Sequence, residues 1–118
     1  MRAVLLLIPY TPVVRAGDWL VVSGQIGLRD GALVAGDTSA QLAQALVNLS
    51  SVLEGEGAGL ASVVKTTVFL RDMGDYMAMN EVYTSAFGEH RPARSAVAVA
   101  GLPLDALVEI EAWAWVGV

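Results

Sequence analysis

The sequence predicts an α/β (α+β) domain in which two helices cover one face of a single mixed β-sheet. Two segments carry apolar residues at helical spacing, and the other apolar runs are β-branched or alternate with a period of two. A length of 118 residues corresponds to one domain, so we expect residues 1–118 to fold as a single unit. The predicted order is β-β-β-α-β-α-β-β. Because strand–helix–strand crossovers are right-handed, both helices should lie on the same face.

The first third of the chain predicts short strands separated by turns. Residues 3–8 and 19–25 are strand-like, and residues 15–18 supply turn residues before the second run. Residues 29–31 (Arg-Asp-Gly) form a turn, and residues 32–34 form a short returning strand, which predicts a hairpin.

Two helices are predicted from apolar periodicity and capping residues. The first begins with a capping box from Thr38 to Gln41 and ends at the glycines that start with Gly55. The second is capped by Asp75 and stops at Gly88, and a β-branched strand over residues 63–70 separates the two helices. The predicted buried stripes are Leu42, Ala45, Leu46, Leu49, Val52 and Leu53 in the first helix and Met79, Val82, Tyr83, Ala86 and Phe87 in the second.

Two final strands are predicted over residues 94–100 and 106–116, after a loop in which His90 and Arg91 are expected to be solvated. One side of the last strand is aliphatic, and the other carries two glutamates and two tryptophans. If the helices cover the aliphatic side, a neighbouring subunit is the expected cover for the other side. The alternative is a half-exposed sheet with tryptophans at its rim. The two sides are Val108, Ile110, Ala112 and Ala114, and Glu109, Glu111, Trp113 and Trp115.

Composition excludes several classes of function. The chain has no cysteine and one histidine, which excludes disulfides, thiolate zinc sites and cysteine nucleophiles and argues against any metal centre. A net charge of −5 argues against nucleic acid as the main partner. Although 55% of residues are hydrophobic, no run reaches the ~18–20 residues of a membrane span, and no signal peptide is evident. We therefore expect a cytoplasmic protein that does not bind membranes and buries part of its apolar surface between subunits.

Arg94 and Glu109 are the strongest candidates for chemistry. Arg94 begins a strand of small and apolar residues, so its guanidinium needs an anion, either a ligand carboxylate or a structural ion pair with Glu109 or Glu111. Glu109 has aromatic neighbours on its side of the strand, and burial there would raise its pKa towards the range useful for proton transfer. Hydrogen bonding across an interface is the alternative role for either glutamate.

Weaker candidates are Asn80, Tyr10 and the Ser23-Gly24-Gln25 segment. Asn80 lies at the edge of the second helical stripe and could contact a ligand or pack between helix and sheet. Gly24 ends a strand, where backbone can approach a ligand closely, and alternation places it on the same side as Leu20 and Val22. Tyr10 is a loop aromatic.

Together these segments resemble the reactive-intermediate deaminase family (RidA/YjgF), whose older label is translation inhibitor. The resemblance runs in order along nearly the whole chain, and the full series is specific although no single stretch is. The matching stretches are Pro-Tyr at 9–10, Val-Ser-Gly-Gln-Ile at 22–26, Asn-Leu at 48–49, Val-Lys-Thr-Thr-Val-Phe-Leu at 64–70, Met-Asn-Glu-Val-Tyr at 79–83, Phe87, Pro-Ala-Arg-Ser at 92–95, Leu-Pro at 102–103 and Val-Glu-Ile-Glu-Ala at 108–112.

The resemblance implies a chorismate-mutase-like homotrimer with a central barrel-like core and active sites in clefts between subunits. It implies hydrolysis of 2-imino or enamine acids, such as 2-iminopropanoate and 2-iminobutanoate, to 2-oxo acids and ammonia, without metal or cofactor. Arg94 would hold the substrate carboxylate and Glu109 would position water. The remaining cleft positions are Tyr10, Ser23, Gly24, Asn80 and Ala96.

The chain departs from the family pattern at the cleft rim. Ala96 stands where many members carry cysteine, and Thr11-Pro12 follows Tyr10 in place of a small polar pair. These departures leave the substrate side chain open. The alternatives are a related hydrolase acting on an aminoacrylate or carbamate, a non-catalytic trimer that binds small carboxylates, and a ribonuclease or translation inhibitor.

Overall fold

The computed structural model describes residues 9–118, so the strand predicted over residues 3–8 lies outside the described residues. The described residues contain seven strands and two long helices, in the order that follows. The elements are β1 (Val13–Ala16), β2 (Trp19–Gln25), β3 (Leu28–Arg29), β4 (Ala32–Leu33), α1 (Thr38–Glu54), β5 (Val63–Leu70), α2 (Tyr76–Phe87), β6 (Ala93–Ala98) and β7 (Val108–Trp115). No helix within residues 9–118 is both long enough and apolar enough to cross a membrane.

The main sheet is mixed, as the sequence predicts. Its strand order is β1-β2-β7-β5-β6, with β5 and β6 parallel and the other neighbours antiparallel. Strands β3 and β4 form the predicted small hairpin. Strand β1 was not predicted, because turn chemistry was assigned to all of residues 15–18. The turn needs only Gly17, at φ 61°, and Asp18, so residues 13–16 are free to pair with β2.

Both helices pack on one face of the sheet and enclose the core. All four aliphatic residues predicted on one side of β7 are fully buried, as are Leu42, Leu49 and Leu53 of α1. In α2 the predicted stripe is only partly correct. Ala86 is exposed, because it lies beside an open groove between α1 and α2 and not over the sheet.

The helix caps differ from those predicted. Asp37 caps α1, since its carboxylate accepts a hydrogen bond from the backbone N–H of Ala40 (3.0 Å). Thr38, the predicted cap, is the first helical residue, and its hydroxyl donates to Asp75 (2.6 Å). Asp75 stands at the start of α2 but makes no side-chain cap there. The two expected caps therefore bind each other and tie the helix starts together.

The connection between the last two strands is longer than predicted. Strand β6 ends at Ala98 and β7 begins at Val108, each two residues short of the expected limit. Leu104 and Asp105 in this connection adopt left-handed backbone conformations, with φ of 57° and 59°, which no strand can accommodate.

The opposite side of the sheet, here called the open face, is not covered by any element within the described residues. Its tryptophans form a cluster in which Trp19 packs edge-on against Trp113 (6.0 Å) and Trp115 (5.1 Å), leaving the last two 47% and 43% exposed. The open face comprises the outward side chains of β2, β5 and β7, which are Trp19, Val21, Lys65, Thr67, Phe69, Glu109, Glu111, Trp113 and Trp115. That a second subunit covers it stays a prediction.

Candidate functional site

The candidate residues form two groups on opposite faces of the sheet. Arg94 is in register with Thr66, a fully buried residue on the helix-covered face. Glu109 is in register with Phe69 on the open face, and strand β5 lies between β7 and Arg94's strand β6. The alternative of an ion pair between Arg94 and Glu109 or Glu111 of the same chain is therefore wrong, because the sheet separates the groups. A single chain does not bring Arg94 and Glu109 together.

The Arg94 guanidinium lies among neutral groups of α2. Its Nη2 donates to the hydroxyl of Tyr76 (3.0 Å) and its Nη1 to the sulfur of Met79 (3.5 Å). Its Cζ stands 5.5 Å from the ring centroid of Tyr76 and 4.8 Å from that of Tyr83, within range of a cation–π interaction. Arg94 makes no ion pair with any residue from 9 to 118. Its charge is held in place but not neutralised, which suits it to bind an anion.

These neighbours of Arg94 were missed as site residues by the sequence analysis. Met79 and Tyr83 were assigned to the core, and Tyr76 was not singled out. Their spacing of three and four residues places all three on one side of a helix, which was the available signal. The hydroxyl of Tyr83 also shares a buried hydrogen bond with Thr66 (2.7 Å), which fixes its ring beneath Arg94.

Asn80 and Ala96 belong to the Arg94 group by position. Asn80 is one helical turn beyond Tyr76, and its Oδ1 is buried without a hydrogen-bond partner in the described part of the chain. A buried unpaired amide oxygen is costly, so its presence points to a polar group supplied from outside this chain. Ala96 is two residues after Arg94 and therefore lies on the same face of β6.

The loop before Arg94 is only partly solvated, which corrects the expectation for His90. Its Nε2 hydrogen bonds to the carbonyl of Val63 (2.6 Å), so the ring is half-buried. Arg91 is exposed as predicted, and its guanidinium donates to the carbonyl of Gly88. Across residues 9–118, no three histidine, aspartate or glutamate side chains come together as a metal-binding cluster.

The second group surrounds Glu109 and is formed by a β-bulge. Val22 pairs with Ala112, whereas Gln25 pairs with Ile110, so Ser23 and Gly24 both lie opposite one residue of β7. The bulge breaks the expected alternation and moves Gly24 to the side of Glu109. A Cβ on Gly24 would overlap the Glu109 carboxylate, with 2.6 Å to its Cδ. Only glycine leaves the carboxylate its present position.

Ser23 links the bulge to the segment that follows Tyr10. The hydroxyl of Ser23 donates to the carbonyl of Thr11 (2.7 Å), and the backbone N–H of Ser23 donates to that of Pro12 (2.9 Å). These bonds anchor the segment that follows Tyr10 against the bulge. Tyr10 itself is 55% exposed, so its ring is available to a partner or ligand.

The surroundings of Glu109 perturb the pKa of its carboxyl group. Burial raises the pKa of the Glu109 carboxyl above its ordinary value of 4.5, and the nearby charge of Glu111 raises it further. The three atoms nearest to a Cβ built on Gly24 all belong to Glu109, which marks it as the glutamate beside the bulge. A carboxylate with a raised pKa is the better proton acceptor, because its conjugate acid is weaker.

Comparison with known proteins finds one family across the chain. The family model described as Endoribonuclease L-PSP matches residues 2–116. A RutC family protein of Pyrococcus horikoshii is 47% identical over 109 residues, covering 91% of this chain and 86% of the relative. The 2-iminobutanoate/2-iminopropanoate deaminase of Salmonella typhimurium is 44% identical over 109 residues, covering 88% and 84%. The crystal structure of the YjgF gene product of E. coli superposes with a TM-score of 0.87 at 40% identity, covering 92% of this chain and 89% of that one.

Proposed function

Because this chain belongs to the Endoribonuclease L-PSP family, which is the RidA/YjgF family that its motifs resemble, we propose that it hydrolyses reactive 2-imino acids to 2-oxo acids and ammonia. The substrates are of the 2-iminopropanoate and 2-iminobutanoate type, together with their enamine tautomers. The observation that carries the proposal is Arg94, a cation fixed by two tyrosines and a methionine and free of any carboxylate in residues 9–118. A substrate carboxylate is the anion that it lacks.

The proposed reaction uses Arg94, Glu109 and one water molecule. Arg94 binds the substrate carboxylate through two parallel N–H donors. Glu109 accepts a proton from water while the water oxygen forms a bond to C2 of the protonated imine, and the C=N π electrons move to the nitrogen, which gives a neutral carbinolamine. Protonation of the nitrogen and loss of the proton on the new hydroxyl then break the C–N bond, releasing ammonia and leaving the 2-oxo acid. The reaction needs one water and no redox partner, so oriented acid–base groups are sufficient.

The two groups meet, in this proposal, only between subunits. Arg94, Asn80 and Ala96 of one copy face Glu109, Gly24 and the Tyr10 segment of the next copy, in a homotrimer with a chorismate-mutase-like fold and a barrel-like centre. Two features support this arrangement: the sheet separates Arg94 from Glu109 within one chain, and the open face carries a large half-exposed tryptophan cluster. A water or polar group from the neighbouring copy would satisfy the buried oxygen of Asn80.

Ribonuclease activity, which the family description names, is less well supported by the chain. Phosphate binding requires clustered cations, whereas this chain has seven Lys and Arg against twelve Asp and Glu. A trimer that binds small carboxylates without catalysis, and a hydrolase acting on an aminoacrylate or carbamate, use the same Arg94 group. Only the assay below separates them from imine hydrolysis.

The test generates imines in situ from threonine or serine with a dehydratase and follows 2-oxo acid and ammonia formation above the spontaneous rate. We expect the protein to accelerate hydrolysis and the Arg94→Ala variant to lose at least about 10²-fold in kcat/KM, because the carboxylate loses its charged partner. Equal activity of Arg94→Ala would exclude the assigned role of Arg94. Binding of 2-oxobutanoate without any acceleration would favour the alternative of a non-catalytic protein that binds small carboxylates.

A further inference from the structure

The hydroxyl of Tyr76 is the only oxygen that fixes the orientation of the Arg94 guanidinium within residues 9–118. The rings of Tyr76 and Tyr83 attract the cation through their faces, and this attraction leaves the guanidinium free to turn in its own plane. The bond to Met79 is long and weak at 3.5 Å. The 3.0 Å bond from Nη2 to the Tyr76 hydroxyl therefore decides which N–H groups point away from α2.

This bond leaves a suitable set of donors for a carboxylate. A guanidinium has five N–H groups, and within the described residues the Arg94 side chain uses one on Nη1 and one on Nη2. The remaining N–H groups on Nη1, Nη2 and Nε stay available in one plane. Two parallel donors from such a plane match the two oxygens of a carboxylate.

Tyr76 is itself held at the start of its helix. The preceding turn, Met73–Asp75, is closed by the Asp72 carboxylate, which accepts from the N–H of Gly74 (2.8 Å). Asp75 is tied to Thr38 at the start of α1 by a 2.6 Å hydrogen bond. The Tyr76 ring is half-buried against the core, so the hydroxyl has a fixed position from which to hold Arg94.

We propose that Tyr76 is a positioning residue that sets the guanidinium of Arg94 for two-point binding of the substrate carboxylate. Tyr76 does not take part in bond making or breaking, and its loss should weaken carboxylate binding while the chemical step continues. This inference rests on one part of the proposed function, which is that Arg94 binds the carboxylate of the ligand.

The test compares Tyr76→Phe with Thr66→Val. Tyr76→Phe removes the hydroxyl that accepts from Arg94 and keeps the aromatic ring. Thr66→Val also removes one hydroxyl near Arg94, but this hydroxyl bonds to Tyr83 and makes no hydrogen bond to Arg94. For Tyr76→Phe we expect KM for the imine and Kd for 2-oxobutanoate to rise about tenfold, with kcat within about twofold and an unchanged melting temperature. For Thr66→Val we expect a lower melting temperature and rises in KM and Kd smaller than those of Tyr76→Phe, because Thr66 reaches Arg94 only through the Tyr83 ring.

The outcomes separate this inference from the proposed function. If the parent binds 2-oxobutanoate but does not hydrolyse imines, the proposed function fails and the rise in Kd for Tyr76→Phe still supports the positioning role. If the parent binds and Tyr76→Phe binds equally well, the positioning role is wrong and the proposed function stands. Equal rises in Kd for the two variants, or a loss confined to kcat, would also overturn it. A parent that binds no 2-oxobutanoate overturns both.

Discussion

Replacing Gly24 by alanine should damage the proposed active site without damaging the fold. The added Cβ would lie 2.6 Å from Cδ of Glu109, whereas ordinary contacts begin near 3.4 Å, so the carboxyl group must retreat by about 1 Å. The obstructing atoms are the end of a flexible side chain, and Gly24 has no positive φ, so the backbone has no reason to shift. A displacement of about 1 Å in a catalytic group costs about 10²-fold in rate.

We therefore expect Gly24→Ala to lose about 10²-fold in kcat, measured by 2-oxo acid formation from in situ imines. Its free energy of unfolding in urea should stay within about 1 kcal/mol of the parent value. Gly59→Ala is the matched control, because a Cβ there meets nothing within 4 Å and Gly59 has no positive φ. Full activity of Gly24→Ala would refute the contact between the bulge and Glu109. So would a fall in the free energy of unfolding well beyond about 1 kcal/mol, because the loss of activity would then come from damage to the fold.

Three further changes probe the charges and caps. Arg94→Lys keeps the charge but loses the planar fork, so kcat/KM should fall about tenfold or more in the same assay, and an unchanged value would exclude two-point binding. Glu109→Gln should lose about 10²-fold or more in kcat and remove the rise of kcat/KM with pH whose inflection lies above 4.5 in the parent. Folding raises the pKa of Glu109, so the contribution of this carboxyl group to the free energy of unfolding is complete below pH 4.5 and is lost as pH rises through the pKa of the folded state. Urea titration at several pH values should show this loss in the parent and not in Glu109→Gln. Asp37→Ala should cost about 1 kcal/mol of stability by removing the α1 cap, with kcat unchanged; an equal stability to the parent would contradict the cap.

The sequence predicted the fold where one physical signal dominated. The alternation in β7 correctly separated the buried Val108 and Ile110 from the outward Glu109 and Glu111, because side-chain direction in a strand has a fixed period of two. The helical stripe of α1 was equally informative. Caps were less predictable. Asp37 and Thr38 are both good capping residues, and the hydroxyl of Thr38 bonds instead to Asp75, which is 37 residues away.

The sequence indicated individual candidates for the site but not their arrangement, and it did not indicate Tyr76, Met79 and Tyr83 as neighbours of Arg94. Neither local pattern nor resemblance indicates that Gly24 changes sides through a bulge, since the extra residue is defined only by pairing with β7. The position of Arg94 is likewise defined only by strand pairing. Its strand β6 pairs in parallel with β5, which places the Arg94 side chain on the face covered by α2 and Glu109 on the opposite face. Pairing register is a long-range property, and it decides which side chains share a face.

The central proposal, a site shared between two copies of the chain, is tested most directly by mixing two inactive variants. Arg94→Ala and Glu109→Gln proteins would be denatured together at equal concentration, refolded, and assayed for imine hydrolysis against each variant refolded alone. If every site takes Arg94 from one copy and Glu109 from its neighbour, random assembly leaves about a quarter of the sites intact, and about a quarter of parental activity should return. If the mixture is no more active than the variants alone, while the refolded parent is active, the shared site is contradicted.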